Sequence, residues 1–182
     1  MNLARLILKL FGWKVSVSVP DFPKCIICVA PHTSNWDFIL GKLAYAAIGR
    51  HAGFLMKEQW FFWPMGCLFR AIGGVAVPRG KKRGSLTSTI CEMFRSRERL
   101  QIAITPEGTR SRNSQWRTGF LHIAYDTGVP IVLGVLDYGN RRIHLDREFR
   151  PTGDIDADMR AVKEFYRPFK GKYPEKFSTD EQ

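Results

Sequence analysis

The sequence predicts an α/β fold: a mostly parallel mixed sheet covered by helices on both faces, with an N-terminal amphipathic helix. Three observations predict it. Strand-length apolar runs alternate with helical patterns along the chain. Glycines stand at many of the boundaries between them. The length of 182 residues, with 45% hydrophobic and 25% charged residues, suits one globular domain. We therefore expect a single domain over residues 1–182.

The first predicted element is a helix over residues 1–13. Five apolar residues share one of its faces at helical spacing: Leu3, Leu6, Ile7, Leu10 and Phe11. Arg5 and Lys9 lie opposite. Two interpretations stay open: the helix packs on the core, or residues 1–20 form a membrane-interfacial segment in the headgroup layer. No run of eighteen apolar residues exists, so we expect no membrane-spanning helix.

The remaining elements follow in chain order. The predicted strands are Cys25–Ala30, Gly53–Met56, Gly74–Val77, Leu100–Ile104, Ile131–Leu136 and Arg142–Leu145. The predicted helices are Asn35–Ile48, Ser85–Arg97, Thr118–Thr127 and Asp156–Phe169. Residues 170–182 have the composition of a polar tail. Because ligands of parallel α/β sheets bind beyond the carboxyl ends of the strands, the residues just after Ala30 and Ile104 are candidates for a site.

The segment Trp60–Phe69 is the most aromatic part of the chain. Core packing accounts for some of these rings, but one helix cannot turn them all inward. The others are candidates for an acyl-chain groove or a membrane-facing lip, where indole rings are favoured.

Cys25 and Cys28 form a C-x-x-C pattern inside a predicted strand. Side chains three positions apart on a strand point to opposite faces, so the two sulfurs cannot share a metal ion. We expect reduced core thiols in a cytosolic compartment and no metal site.

The net charge is +11. Such an excess attracts phosphates, whether of nucleic acid, anionic lipid or an acidic carrier protein. No nucleic-acid-binding motif accompanies the basic residues, so nucleic acid is not an expected partner.

His32 is followed five residues later by Asp37, directly after the first buried strand. A histidine whose far ring nitrogen faces a carboxylate can take a proton from a hydroxyl group near neutral pH. The amides at the start of the next helix are candidates for holding a phosphate or an oxyanion. The alternative is structural, since Ser34-x-x-Asp37 also fits a helix capping box, with aspartate in place of glutamate.

A second motif, Glu107-Gly108-Thr109-Arg110, follows the strand Leu100–Ile104. Gly108 permits a tight turn, and the planar guanidinium of Arg110 matches phosphate oxygens. Glu107 is positioned to orient Arg110 or the hydroxyls of a substrate. Arg79 and Lys57, each at the end of a strand, are further candidate phosphate ligands. The alternative is a surface turn closed by a Glu–Arg pair.

These residues resemble the glycerolipid (1-acylglycerol-3-phosphate or lysophospholipid) acyltransferase family, of which the chain looks like a small form. The family's first block matches His32 and Asp37. Its second matches 74–79, its third Glu107-Gly108-Thr109-Arg110-Ser111, and its fourth 129–132, in the same order. At Pro78 and at Leu133-Gly134 the sequence differs from residues that are frequent in the family. These differences bear on which acceptor is used more than on the type of reaction.

The resemblance implies transfer of a fatty acyl group from acyl-CoA or an acyl carrier protein to a lysophospholipid hydroxyl. His32 would be the general base, Asp37 its orienting partner, and Arg79 and Arg110 the phosphate ligands. No cofactor, metal or covalent acyl-enzyme is expected, and the chain has no G-x-S-x-G nucleophile motif. We expect a peripheral protein on the cytoplasmic face of a membrane with an anionic surface. The rival hypothesis is a non-catalytic basic protein that binds anionic lipid or, as a weaker candidate, nucleic acid.

Overall fold

The computed structural model describes residues 2–77 and 86–180. Its strands are β1 (Lys14–Val17), β2 (Lys24–Ala30), β3 (Gly53–Lys57), β4 (Gly74–Val77), β5 (Leu100–Ile104), β6 (Ile131–Asp137) and β7 (Arg142–Phe149). Its helices are α1 (Leu3–Leu10), α2 (Trp36–Ala47), α3 (Met65–Ala71), α4 (Leu86–Ser96), α5 (Gly119–Thr127) and α6 (Ile155–Tyr166).

The strands form one sheet in the order β1-β7-β6-β2-β5-β3-β4. All neighbouring strands are parallel except β6 and β7, which are antiparallel. The prediction of a mostly parallel mixed sheet is therefore confirmed. In the central strand β2, Ile26 pairs with Ile102 of β5 on one side and Ile131 of β6 on the other. The carboxyl ends of these three strands consequently share one edge of the sheet.

Helices cover both faces of the sheet, because β2 is apolar on each face. Ile26 and Cys28 pack in a cluster with buried residues of α4, α5 and α6. Cys25 and Ile27 pack in a cluster on the opposite face, which includes Tyr45 of α2. The two cysteines therefore point to opposite faces, as predicted, and burial raises the pKa of the Cys25 thiol to about 12.

Two elements were not predicted from the sequence. Strand β1 is short, and it lies at the edge of the sheet with alternating exposed and half-buried residues. It therefore lacks the continuous apolar run that marks the central strands. Helix α3 lies inside the aromatic segment, where the density of large rings obscured the helical period.

Helix α1 packs on the body of the protein through only part of its apolar surface. Leu8 is buried, with Ala4 half-buried beside it, in a cluster that includes Ala44 and Ala47 of α2. Four other apolar residues of this helix and its end are exposed: Leu3, Leu6, Leu10 and Phe11. The apolar surface of α1 is wider than its contact with α2. The helix therefore packs on the core on one side and exposes apolar side chains to solvent on another. Every helix in the described part of the chain is too short or too polar to cross a bilayer.

The aromatic segment 60–69 divides in a similar way. Phe61 and Phe69 are half-buried and contact each other edge to face, with ring centroids 6.0 Å apart. The exposed large hydrophobic side chains of the segment are Trp60, Phe62, Trp63 and Leu68. Packing within the fold therefore accounts for only some of these rings.

The residues after α6 fold back onto the body instead of extending into solvent as a polar tail, at least as far as Asp180. Trp116 Nε1 donates a hydrogen bond to the buried Ser178 carbonyl oxygen at 3.0 Å. The Tyr173 amide donates to Thr33 Oγ1 at 3.2 Å. Gly171 is so close to Thr33 that a Cβ atom added to it would lie 2.8 Å from Thr33 Oγ1. Composition alone did not predict this packing, because main-chain groups make these contacts.

Candidate active site

His32 and Asp37 lie together at the carboxyl end of β2. His32 is in the loop that leads to α2, and Asp37 is in the first turn of that helix. Nδ1 of His32 is 3.2 Å from Oδ2 of Asp37, although the two atoms are not aligned as donor and acceptor and Nδ1 has no hydrogen-bond partner. Hydrogen bonds of such pairs are often poorly aligned without substrate and tighten only when substrate binds.

The carboxylate of Asp37 is buried and accepts hydrogen bonds through both oxygens. Oδ2 accepts from the amides of Thr33 and Ser34, each at 2.8 Å. Oδ1 accepts from the hydroxyl of Tyr138 at 2.7 Å. The capping and the functional interpretations of Asp37 are thus compatible, since one oxygen organises the loop and also faces the histidine.

Three main-chain amides at the start of α2 donate hydrogen bonds within the protein. Those of Thr33 and Ser34 donate to Asp37, and that of Trp36 donates to Ser34 Oγ at 3.2 Å. They are not available to a phosphate in this arrangement.

Glu107 lies in a different environment from the one predicted for a substrate ligand. It is buried, and its Oε2 accepts a hydrogen bond from the main-chain amide of His32 at 2.8 Å. Burial raises the pKa of the Glu107 carboxyl from 4.5 to about 8, and the nearby Asp37 charge adds to the rise. The hydrogen bond from His32 opposes the shift. Glu107 therefore fixes the backbone of His32, and no ion pair with Arg110 is present.

Gly108 has a function beyond the turn itself. Its φ angle is +66°, in the left-handed region. A Cβ atom at this position would lie 2.4 Å from Nε of Arg117. The glycine thus leaves room for the Arg117 side chain to cross the turn. Arg117 belongs to none of the sequence motifs, and its position in the site was not predicted.

One cavity of about 1200 Å³ joins the two motifs. Polar residues that line it include His32, Asn35, Asp37, Arg110 and Arg117. His32 and Arg110 therefore share a cleft, as the sequence predicted. Neither Arg110 nor Arg117 forms an ion pair with a carboxylate anywhere in residues 2–77 or 86–180.

The rest of the cavity wall is mainly apolar and aromatic. It includes Ile27, Phe38, Tyr45, Phe54 and Leu55, contributed by β2, α2 and β3. The cavity thus combines a basic, histidine-containing end with an apolar wall.

Three other predicted ligands are not placed in this cavity by the structure. Lys57 is exposed at the end of β3, and Thr109 is exposed with its Oγ1 accepting from the Ser111 amide. Neither residue lines the cavity. Arg79 lies outside the described residues. In the part of the chain that the structure covers, His, Cys, Asp and Glu form no group suited to hold a metal ion.

Comparisons with known proteins agree with this fold. The family model described as "Acyltransferase" matches residues 18–133, so the chain belongs to the glycerolipid acyltransferase family. The 1-acyl-sn-glycerol-3-phosphate acyltransferase of Haemophilus influenzae is 29% identical over 146 residues, which are 76% of this chain and 60% of that protein. The enzyme of the same name from Escherichia coli is 29% identical over 147 residues, 76% of this chain and 58% of that one. The chain thus spans about 60% of the length of these relatives.

The fold is also similar to a solved structure. The 1-acyl-sn-glycerophosphate (LPA) acyltransferase PlsC of Thermotoga maritima superposes with a TM-score of 0.57, at 18% identity. The similarity covers 91% of this chain and 76% of that one. At this identity it supports the shared fold alone.

Proposed function

We propose that this protein transfers a fatty acyl group from a thioester to the hydroxyl of a lysophospholipid. The observation that carries the proposal is the shared cavity, in which a histidine backed by a buried carboxylate faces the same space as two arginines that have no carboxylate partner within residues 2–77 and 86–180. Family membership and the names of the relatives support the same class of reaction.

His32 acts as the general base. With Nδ1 turned toward Asp37, Nε2 is the ring nitrogen that remains for the substrate. It takes the proton of the acceptor hydroxyl as that oxygen attacks the thioester carbonyl carbon. Collapse of the tetrahedral intermediate breaks the carbon–sulfur bond. His32 returns its proton to the departing thiolate, which leaves as a thiol. Asp37 stabilises the imidazolium between these two transfers.

Arg110 and Arg117 hold the phosphate of the acceptor. Their guanidinium groups offer several donors in a planar arrangement that matches phosphate oxygens. The apolar wall formed by α2, β2 and β3 receives an acyl chain. We take 1-acylglycerol-3-phosphate as the first acceptor to test, because the relatives carry that name. Acyl-CoA and acyl carrier protein are both donors to test.

We further propose that the protein attaches to an anionic membrane surface from the cytoplasmic side. The exposed apolar face of α1 and the exposed rings of the aromatic segment support attachment, and the net charge of +11 supports preference for anionic lipid.

The test is replacement of His32 in the purified protein. His32→Gln is expected to lower acyl transfer from labelled acyl-CoA to lysophosphatidate by about 10²–10⁴-fold, because the proton is no longer removed as the oxygen attacks. Product is measured by mass spectrometry, and binding to anionic vesicles is measured in parallel and expected to stay the same.

The matched control is His144→Gln. His144 also lies beside an aspartate, with Nδ1 3.3 Å from Asp146 Oδ2, but it is on β7 and does not line the cavity. This variant is expected to retain parental turnover. Equal turnover in His32→Gln and the parent would refute the role of His32 as the general base, and a parent without turnover would refute the catalytic proposal and leave a lipid-binding protein.

A further inference from the structure

Tyr138 makes a contact with the site that none of the sequence motifs contains. Its hydroxyl donates to Asp37 Oδ1 at 2.7 Å, across 101 positions of the chain. The other carboxylate oxygen faces His32 and accepts the two loop amides. Each oxygen of the carboxylate is therefore held from a different direction.

The position of Tyr138 is fixed by three separate parts of the fold. The residue directly follows β6, whose carboxyl end lies beside that of β2. Its amide donates to the Lys170 carbonyl at 2.9 Å, in the segment after α6. Its ring meets that of Trp13 edge to face, with centroids 4.9 Å apart and planes at 89°. Because these contacts fix its backbone and its ring, Tyr138 can hold the Asp37 carboxylate in place.

The turn after Tyr138 adds to this placement. Oδ1 of the buried Asp137 accepts from the amide of Gly139 at 3.0 Å, and Oδ2 accepts from Asn140 Nδ2 at 2.7 Å. The turn between β6 and β7 is thereby ordered directly beside the tyrosine.

We propose that Tyr138 is a positioning residue for acyl transfer: its hydroxyl holds Asp37 Oδ1, so that Oδ2 stays directed at His32 Nδ1. This inference rests on the proposed function. It adds a donor that the family's blocks do not include and that lies beyond the residues matched by the family model.

The hydroxyl is a donor throughout the neutral pH range. Burial, followed by the hydrogen bond to Asp37, raises the pKa of Tyr138 above its ordinary value, so the proton stays on the phenol. Other ionisable groups that face this cluster are Glu107 and Tyr173, and Arg141 and Lys172 line a cavity with Tyr138.

Tyr138→Phe removes the hydroxyl and keeps the ring with its Trp13 contact. We expect kcat to fall about tenfold while KM for the acceptor changes less than twofold. Without the donated proton, the charge on Asp37 is less compensated and attracts the imidazolium more strongly. The acidic limb of the kcat/KM profile is therefore expected at higher pH than in the parent. A residue that only supports the fold would not move this limb.

A second readout does not depend on turnover. The four histidines are titrated by nitrogen-15 NMR, with the signal of His32 identified from its loss in His32→Gln. In Tyr138→Phe the His32 titration is expected at higher pH than in the parent. Tyr125→Phe, an exposed tyrosine on α5, is the control and is expected to match the parent.

The outcomes separate the two proposals. A parent protein without acyl transfer refutes the proposed function, whereas the NMR titration still reports whether Tyr138 acts on His32. A Tyr138→Phe variant with parental kcat, pH profile and His32 titration overturns the inference.

Discussion

Two arginines supply positive charge at the histidine-containing end of the cavity, and they reach it by different routes. Arg110 belongs to the turn after β5, whereas Arg117 crosses that turn through the space left by Gly108. Neither is neutralised by an aspartate or glutamate among the described residues. In the proposed function, the phosphate of the acceptor is the partner of these two arginines.

Replacing Arg117 tests this assignment. Arg117→Met keeps much of the side-chain length but removes the charged donors. A hydrogen bond to a charged group contributes about 1.5–3 kcal/mol, so KM for lysophosphatidate is expected to rise about 10–100-fold while kcat changes little. Steady-state kinetics at varied acceptor concentration measure both values.

The control for Arg117 is Arg112→Met. Arg112 is exposed and pairs at 3.5 Å with Asp180, outside the cavity. Its replacement is expected to leave both constants at parental values. An unchanged KM in Arg117→Met would remove Arg117 from the phosphate site.

Glu107 leads to a prediction about stability. Because the folded state raises its pKa from 4.5 to about 8, the folded protein binds more protons than the unfolded chain between those pH values. The free energy of unfolding therefore falls as pH rises through this window. Glu107→Gln abolishes the charge while its amide oxygen can still accept from the His32 amide. We expect the variant to be more stable than the parent by about 2–4 kcal/mol at pH 9, and similar to it near pH 4.5.

Urea unfolding at several pH values, followed by circular dichroism, measures this difference. Glu92→Gln, an exposed position on α4, is the control and is expected to follow the parent at each pH. A difference between Glu107→Gln and the parent that does not grow with pH would contradict the assignment of a buried, proton-binding carboxyl group.

The individual side chains of the site were predictable from the sequence only in part. His32, Asp37 and Arg110 were identified because their motifs follow buried strands. Glu107 was identified, but not its contact, because nothing in the sequence indicates that its carboxylate turns toward a main-chain amide. Arg117 and Tyr138 were missed because neither belongs to a sequence motif: Arg117 reaches the cavity across Gly108, and Tyr138 contacts Asp37 across 101 positions of the chain.

At the scale of elements, α1 is the clearest case of a surface that the fold leaves uncovered. The helix packs through Leu8 and Ala4 and exposes Leu6 and Leu10 on another side. The periodicity predicted the helix correctly. It did not indicate that Leu8 is the residue buried against α2, because Leu8 is not one of the five residues of the predicted apolar face.

The double variant Leu6→Glu/Leu10→Glu tests membrane attachment. Each leucine contributes about 1.5–3 kcal/mol when fully buried, so partial insertion of two predicts a 10–100-fold weaker partition onto vesicles. The measurement is co-sedimentation with vesicles of phosphatidylglycerol and phosphatidylcholine. The fold is expected to persist, since both side chains are already exposed.

Tyr125→Glu introduces a charge at an exposed aromatic residue on α5 and serves as the control. It is expected to bind vesicles like the parent. If the α1 variant also binds like the parent, this helix is not the membrane-attached surface.

Central strands were predicted within a few residues of their bounds, and so was the edge strand β4, whereas the edge strand β1 was missed. The strands β2, β5 and β6 are buried and apolar throughout most of their length, which produces a strong signal. Strand β7 continues to Phe149, beyond the predicted end at Leu145, because it pairs with the whole of β6 while its outer residues stay polar. A strand with buried side chains on only one face has a weak hydrophobic pattern in the sequence.

For the whole molecule, the order of strands explains why the two motifs meet. β2 and β5 are parallel neighbours, so the loops that follow them lie at one edge although 75 positions separate His32 from Glu107. The general rule for parallel sheets predicted this proximity. No rule of that kind predicts that the segment after α6 returns to the same edge.

That returning segment matters for anyone who trims or transplants this domain. The family match ends at residue 133, yet Tyr138, Lys170 and Tyr173 all lie later in the chain and contact the loop that carries His32 or its neighbours. A fragment cut at the border of the match would keep every recognised block and lose the supports around them. The bounds of a minimal fragment should therefore be chosen from the three-dimensional contacts, and the fragment should include the residues after α6.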